Sequence, residues 1–321
     1  MKYKRGKIMS ILKLTPATKD YLWGGTRLIK EYGKANNGDK LAETWELSCH
    51  PDGLCTIEEG KCNGKTLKEY IDIVGKDVLG SKCQSMEYFP LLIKFIDAKD
   101  DLSIQVHPSD EYALKYEGQY GKTEMWYIMD CQPNAFIYYG FKENITNEEF
   151  AQRIQNKTLL EVLNKVEVKK GDVFFIEPGT IHAIGRGNLI AEIQQNSNVT
   201  YRVYDYGRVG ADGKERELHI DKAKAVTKCT PPKQDYDFGS HLVSCDYFTV
   251  DKYTLSQTTV NKISGTVDST SFASVLVLEG AGTIKAGEEV MEVKKGDSVF
   301  MEADTGYFEV EGNLEMLFTT V

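Results

Sequence analysis

The sequence predicts a mainly β chain built from two related β-rolls, jelly-roll barrels in outline, with a few short helices packed on the first. Three observations carry that prediction: short apolar runs between turn residues, a duplicated turn motif, and few helix-start signatures. The runs are clearest near the C-terminal end, where SVLVL, GTIKA, VMEV, SVFM, YFEV and EMLFTTV follow one another as separate strands. Short runs at even spacing, punctuated by Gly, Asn and Asp, are the signature of a sandwich, barrel or jelly roll.

The motif is Lys169-Lys170-Gly171-Asp172, which recurs as Lys294-Lys295-Gly296-Asp297 at a spacing of 125 residues. At the same spacing Phe175 meets Phe300, Glu177 meets Glu302, Thr180 meets Thr305, and His182 meets Tyr307. Such a tetrad is also an ordinary polar hairpin turn; the further matches make it one end of a repeated unit. The Pro-Pro pair in CTPPKQDYDFGS, residues 229–240, interrupts the strand pattern and suggests two domains, 1–235 and 236–321. Helices are local. Thr66 and Glu69 have capping-box spacing ahead of Leu67, Tyr70, Ile71 and Val74; Thr146 and Glu149 repeat it before Phe150 and Ile154, and TLLEVLNKV is expected to continue as another short helix.

Composition narrows the function. A chain of 321 residues that is 41% apolar and 27% charged is long enough to bury a cleft and reads as globular. The net charge of −9 argues against nucleic acid or an anionic membrane as partner, so an anionic ligand needs a local cluster of Arg and Lys. Seven cysteines without a CxxC pair indicate neither a zinc ribbon nor a closed disulfide framework, and fit a reducing cytoplasm. The start, MKYKRGKIMSILKL, is basic but has no apolar run of signal-peptide length, and Met9 is an alternative initiator. A soluble cytoplasmic protein is expected, as a monomer or small homo-oligomer.

In LSIQVHP, residues 102–108, alternation sets Ser103, Gln105 and His107 on one face and Leu102, Ile104 and Val106 on the other. GKTEMWYIM sets Lys122, Glu124 and Trp126 together in the same way. With His182 these strands offer two imidazoles, one carboxylate and one amide oxygen, a set suited to zinc or another borderline divalent ion. A histidine after Gly-Thr is equally a hydrogen-bonded turn residue. Arg202 and Arg208, with Lys94 and Lys122, offer a cationic patch for an anionic substrate, or surface ion pairs. Glu43, Trp45 and His50 of AETWELSCHP are further polar and aromatic candidates.

The blocks LKLTPATKDYLWGGTRL, AETWELSCHP, PLLIKFIDAKDDLSIQVHP, GKTEMWYI, EPGTIHAIG and LIAEIQQNSNVTYRVYDYGR resemble, in order, those of the zinc-dependent type I mannose-6-phosphate isomerases in their short bacterial form. That resemblance implies two cupin β-rolls, the second smaller and metal-free. It also implies one Zn2+ per chain on Gln105, His107, Glu124 and His182, and a catalytic arginine at Arg202. Lys122 and Ser103 fall at the substrate, as do Lys94, His50, Glu43 and Trp23, and Lys122 and His50 are the candidate proton-transfer bases. The implied reaction interconverts mannose 6-phosphate and fructose 6-phosphate through an enediol. Two alternatives are another cupin isomerase, acting on glucose 6-phosphate with iron or manganese, and a non-catalytic sugar-phosphate-binding cupin. Cys49 stands where the family has a small residue, and the helical domain of longer forms is shortened.

Overall fold

The computed structural model describes residues 10–210 and 213–321, so the basic segment that ends at Met9 lies outside the described residues. Its first roll is two antiparallel sheets face to face. One has six strands, in the order Val173–Ile176, Glu124–Cys131, Asn188–Gln195, Leu91–Ala98, Glu43–Leu47 and Ala17–Lys19. The other has five: Tyr201–Tyr204, Ile104–Val106, His182–Ile184, Phe136–Phe141 and Leu163–Glu167. Between them lies a core of Trp23, Ile96, Trp126, Ile128, Ile137 and Ile190. The outer face of the five-stranded sheet buries Ile104, Val106 and Phe141 against Phe150 and Ala223 of the helices Asn147–Gln155 and Ile220–Val226.

The second roll is a nine-stranded antiparallel sheet formed mostly by residues after Val243. Its interior is apolar, with Val275, Val277, Val299, Met301 and Val310 fully buried. Two strands cross over from the other end of the chain: Ile11–Thr15 pairs with Ser298–Met301, Ile11 opposite Met301, and Thr56–Ile57 pairs with Ile11–Thr15 at the sheet's edge. The two rolls meet back to back over a shared core, where Met125, Tyr127 and Phe175 face the same cluster as Leu276, Phe300 and Leu317. Residues 229–240 strap across this junction, with Tyr236 and Phe238 packed edge-on against Phe175 at 5.1 and 5.5 Å.

The two KKGD turns share their backbone. Gly171 and Gly296 take φ of +93° and +90°, a region that a Cβ disfavours, and Asp172 and Asp297 each accept from the N–H of the first lysine, at 2.9 and 3.0 Å. Asp172 O accepts from Ile128 N–H and Asp297 O from Val277 N–H, both at 2.9 Å. Beyond the turns, Thr180 N–H reaches Glu177 O and Thr305 N–H reaches Glu302 O, at 3.1 and 3.2 Å.

Three expectations change. SVLVL and GTIKA are one strand, Ala273–Ala286, bent at a bulge between Val277 and Glu279, and YFEV and EMLFTTV join in Gly306–Thr320. Their turn-like glycines serve close approach instead: a Cβ on Gly312 would stand 2.5 Å from Ala281 O and Gly282 Cα. TLLEVLNKV is one short 3-10 turn, Leu159–Glu161, followed by the strand Leu163–Glu167, because pairing with Phe136–Phe141 outweighs a weak helical pattern. Leu102 departs from the alternation of LSIQVHP: it precedes the strand Ile104–Val106 and packs in the inner core with Trp23 rather than with Ile104. The predicted helix at Thr66 is present as Leu67–Val74 with its full capping box, and Thr146 caps Asn147–Gln155.

Candidate metal centre and active site

Strand register assembles the site. In the six-stranded sheet Trp126 lies opposite Glu192, Glu192 opposite Lys94, and Lys94 opposite Trp45. In the five-stranded sheet Arg202 lies opposite Gln105, Gln105 opposite His182, and His182 opposite Tyr139. Residues opposite one another project to the same face, so each row is a line of side chains aimed between the sheets. The rows meet where the His182 ring stands edge-on to Trp126, centroids 5.4 Å apart.

At that meeting point the ligand atoms of His107, Glu124 and His182 lie within 4.8 Å of one another, all buried. His182 Nε2 is 3.3 Å from Glu124 Oε1, and His107 Nε2 is 3.7 Å from Glu124 Oε2. His107 Nδ1 donates to Val199 O and His182 Nδ1 to Thr180 O, each at 2.8 Å. This fixes both tautomers, so each Nε2 presents a lone pair. Burial pushes the His182 imidazole down to about 4, and burial with the Lys122 charge holds His107 well below its usual range, so both are neutral. Burial, abetted by Glu192 and opposed by Lys122, pushes the Glu124 carboxyl up to about 8. His182 Nε2 and both Glu124 oxygens lack a well-formed hydrogen bond. Acceptors that converge without donors are costly in a protein interior unless a cation joins them. Lys122 Nζ is the protein cation in reach, 2.8 Å from Glu124 Oε2 and 3.3 Å from His107 Nε2. The donor set fits a divalent ion, and half-buried Gln105, beside His182 in its row, is positioned to add a neutral oxygen.

Around this centre, Lys94 Nζ pairs with Glu192 Oε2 at 3.0 Å and lies 3.8 Å from Glu43 Oε2. Burial works against its charge, but Glu192 and Glu43 outweigh it and hold the ammonium above its ordinary value. Glu43 Oε2 also accepts from Trp45 Nε1 at 2.8 Å. Arg202 Nε donates to Ser103 Oγ at 3.2 Å and Nη1 to Glu217 O at 2.9 Å. Arg208 is bound to Asp205, as is Arg216, so the expected patch reduces to Arg202: Lys94 and Lys122 are also matched to carboxylates. Trp23 is buried in the core beside the site, its ring 5.6 Å from that of Tyr21. His50 stands apart from the imidazole cluster. Its Nδ1 accepts from Asp52 N–H at 3.1 Å, and its Nε2 therefore faces Gln119 Oε1, 3.3 Å away, as a donor.

Glu192 is the site residue that sequence reasoning missed. It pairs with Lys94, accepts from Trp126 Nε1 at 3.1 Å and lies 3.8 Å from Lys122. Burial acts to raise its pKa, but Lys122 and Lys94 prevail and keep it ionised. The signal was present: in NLIAEIQQ, Leu189, Ala191 and Ile193 alternate with Glu192 and Gln194, and a polar face on so apolar a strand marks a cavity.

Two face-to-face sheets with a buried His–Glu–His centre define a cupin-type enzyme with a candidate metal site. Family comparison makes it specific: residues 11–135 match the phosphomannose isomerase type I catalytic domain, and residues 239–321 the mannose-6-phosphate isomerase cupin domain. The mannose-6-phosphate isomerase ManA of Bacillus subtilis is 38% identical over 94% of this chain and 96% of its own. The mannose-6-phosphate isomerase of Streptococcus mutans is 36% identical over 92% and 93%. The crystal structure of the Bacillus subtilis mannose 6-phosphate isomerase superposes with a TM-score of 0.89 at 34% identity, covering 98% of this chain and 100% of that one. The apo enzyme of Salmonella typhimurium, at 19% identity, shares the fold with a TM-score of 0.77. This chain belongs to the type I phosphomannose isomerase family.

Proposed function

We propose that this chain interconverts mannose 6-phosphate and fructose 6-phosphate with one Zn2+ held by Gln105, His107, Glu124 and His182. The observation that carries the reading is the convergence of two neutral imidazole nitrogens and a carboxyl group, all buried, with His182 Nε2 and both Glu124 oxygens lacking a well-formed hydrogen bond, beside Arg202, which among the described residues has no carboxylate partner. The reaction moves a proton between C1 and C2, and its enediolate-like transition state places negative charge on oxygen. Zinc, when bound, supplies a Lewis acid for that charge.

The chain's own groups do the rest. Arg202 is oriented by Ser103 Oγ and Glu217 O, contacts that leave its positive charge unneutralised for the enediolate oxygens. Lys122 is the proton-transfer group, since its Nζ reaches the ligand cluster and is held by Glu124 and Glu192. His50 is the weaker candidate, because the nitrogen that would accept a proton already takes the Asp52 N–H. Lys94, Glu43 and Trp23 line the approach for the sugar. Two aldose–ketose substrates share this chemistry, so the test is an assay of mannose 6-phosphate and glucose 6-phosphate in parallel, with and without chelator. Turnover of mannose 6-phosphate that disappears on chelation and returns with zinc is expected. Turnover of glucose 6-phosphate alone would transfer the site to the other isomerase reading. A cytoplasmic setting is consistent with seven free cysteines, and among the described residues no helix is long and apolar enough to cross a membrane.

A further inference from the structure

A cavity of about 510 Å3 opens beside His50, lined by Asn196, Gln119, Tyr120, Tyr88, Phe89 and Ile71 among others. Its size falls within the span of small-molecule sites, roughly 300–1,000 Å3. Of the residues assigned above to the isomerase site, only His50 touches it. Its polar groups are set in place. His50 is 4% exposed, and Asn196, at 7%, keeps its side-chain oxygen without a hydrogen-bond partner while its backbone N–H is fixed on Pro90 O at 2.8 Å. Asn196 lines the cavity, and a buried amide oxygen without a donor is a cost that a small turn of this side chain toward a ligand hydroxyl would relieve. Tyr88 and Tyr120, also on the wall, form an edge-on pair with centroids 5.5 Å apart.

Charge decides what kind of ligand fits. Two lysines reach the rim, but Lys68 Nζ is paired with Asp72 at 2.8 Å, and Lys76 Nζ donates to the backbone carbonyls of Gln84 and Met86. The rim's other acidic residue, Glu87, adds a negative charge. The two lysines face two carboxylates, Asp72 and Glu87, so the rim offers a phosphate no net positive charge, whereas aromatic faces with the side-chain amides of Gln119 and Asn196 suit the apolar faces and hydroxyls of a sugar ring. We propose that this cavity is an accessory site for an unphosphorylated monosaccharide, separate from the isomerase centre. It communicates with that centre through His50, whose ring stands edge-on to Trp45 at 5.8 Å, and Trp45 donates to Glu43.

The experiment titrates the full-length protein with D-mannose and D-fructose, reading saturation-transfer NMR and tryptophan fluorescence, with mannose 6-phosphate as competitor. Saturable binding is expected, unchanged in Glu124→Gln protein and not displaced by mannose 6-phosphate. Tyr120→Ala should weaken it by up to about tenfold, a loss within the range of one aromatic contact. Gln119→Ala gives a second, milder reading if Tyr120→Ala fails a circular-dichroism check of folding. Absence of saturable binding, indifference to both cavity variants, or loss in Glu124→Gln with displacement by mannose 6-phosphate would each overturn the proposal. None of these readouts depends on turnover, so the accessory site and the isomerase reading stand or fall separately.

Discussion

In the first roll the strand paired with Val173–Ile176 opens with Glu124, opposite Ile176; in the second, the residue opposite Met301 is Ala273. Ile176 and Met301 are equivalent through the repeat, so Ala273 occupies the place of Glu124, as Tyr307 does that of His182. Neighbouring positions follow suit. Trp126, under Glu192, answers to Val275, packed against Val299 and Met301. Tyr307 is 59% exposed and donates its hydroxyl to Glu309. The same turn and ladder thus enclose a charged, underbonded centre in one copy and an apolar interior in the other. The fold does not need the polar residues; they are an added cost that the first roll carries for chemistry.

The sharpest way to break the comparison is to make the first roll like the second. Glu124→Ala should abolish metal retention and lower kcat by roughly 10³-fold or more, given that losing one preorganised charge-stabilising group costs about 10²–10³. Elemental analysis of the purified variant, beside the coupled assay, checks both. Full metal occupancy in Glu124→Ala would remove this carboxylate from the centre.

The converse change, Ala273→Glu, puts an unpaired carboxylate into an interior lined by Val275, Val277 and Met301. Such burial should destabilise the protein by roughly 3–5 kcal/mol. Urea unfolding measures it. Little loss of stability would show that the second interior tolerates charge, and the contrast between the rolls would lose its physical basis.

The rolls should also differ in their response to acid once metal is chelated. His182, depressed to about 4, and His107, held well below its usual range by burial and the Lys122 charge, stay neutral in the folded chain while the unfolded chain protonates both below about 6.5. Glu124, raised to about 8, works the other way, since the folded chain alone holds its proton between 4.5 and 8. From pH 6.5 down to 4.5 the unfolded chain therefore takes up two imidazole protons against the one the folded chain already holds on Glu124. Stability should fall on acidification by about 1.4 kcal/mol per pH unit, and His182→Asn should remove most of that slope. Urea midpoints across this window, at constant m-value, are the measurement. A flat profile would mean that the imidazoles are not held neutral.

Much of this contrast was legible in the sequence because β-structure has a period of two. Ser103, Gln105 and His107 in one strand and Lys122, Glu124 and Trp126 in another stand out as polar faces, and the KKGD turn fixed the alignment of the copies. Register across strands was not legible: nothing local says that Gln105 stands between His182 and Arg202, or that Glu192 lies under both lysines. Nor was the crossing of Ile11–Thr15 into the second sheet, since its partner is nearly 300 residues away along the chain and no short-range signal encodes that pairing. LNKVE was misread for the same reason, its state being decided by the neighbouring strand.

The smallest effect belongs to Tyr307, where the repeat places the missing histidine. Its side chain is largely in solvent, its hydroxyl bonds Glu309, and its backbone pairs with Thr266, so the residue contributes mainly as a strand former. Tyr307→Ala should cost no more than about 1 kcal/mol, the span of strand propensity, and leave activity and metal content unchanged. The corresponding change in the first roll, His182→Ala, should leave the backbone as intact yet remove a ligand from the centre. If Tyr307→Ala instead lowered metal content or kcat, the second roll would reach the centre through a route that its position in the ladder does not provide, and the division of labour between the copies would have to be redrawn.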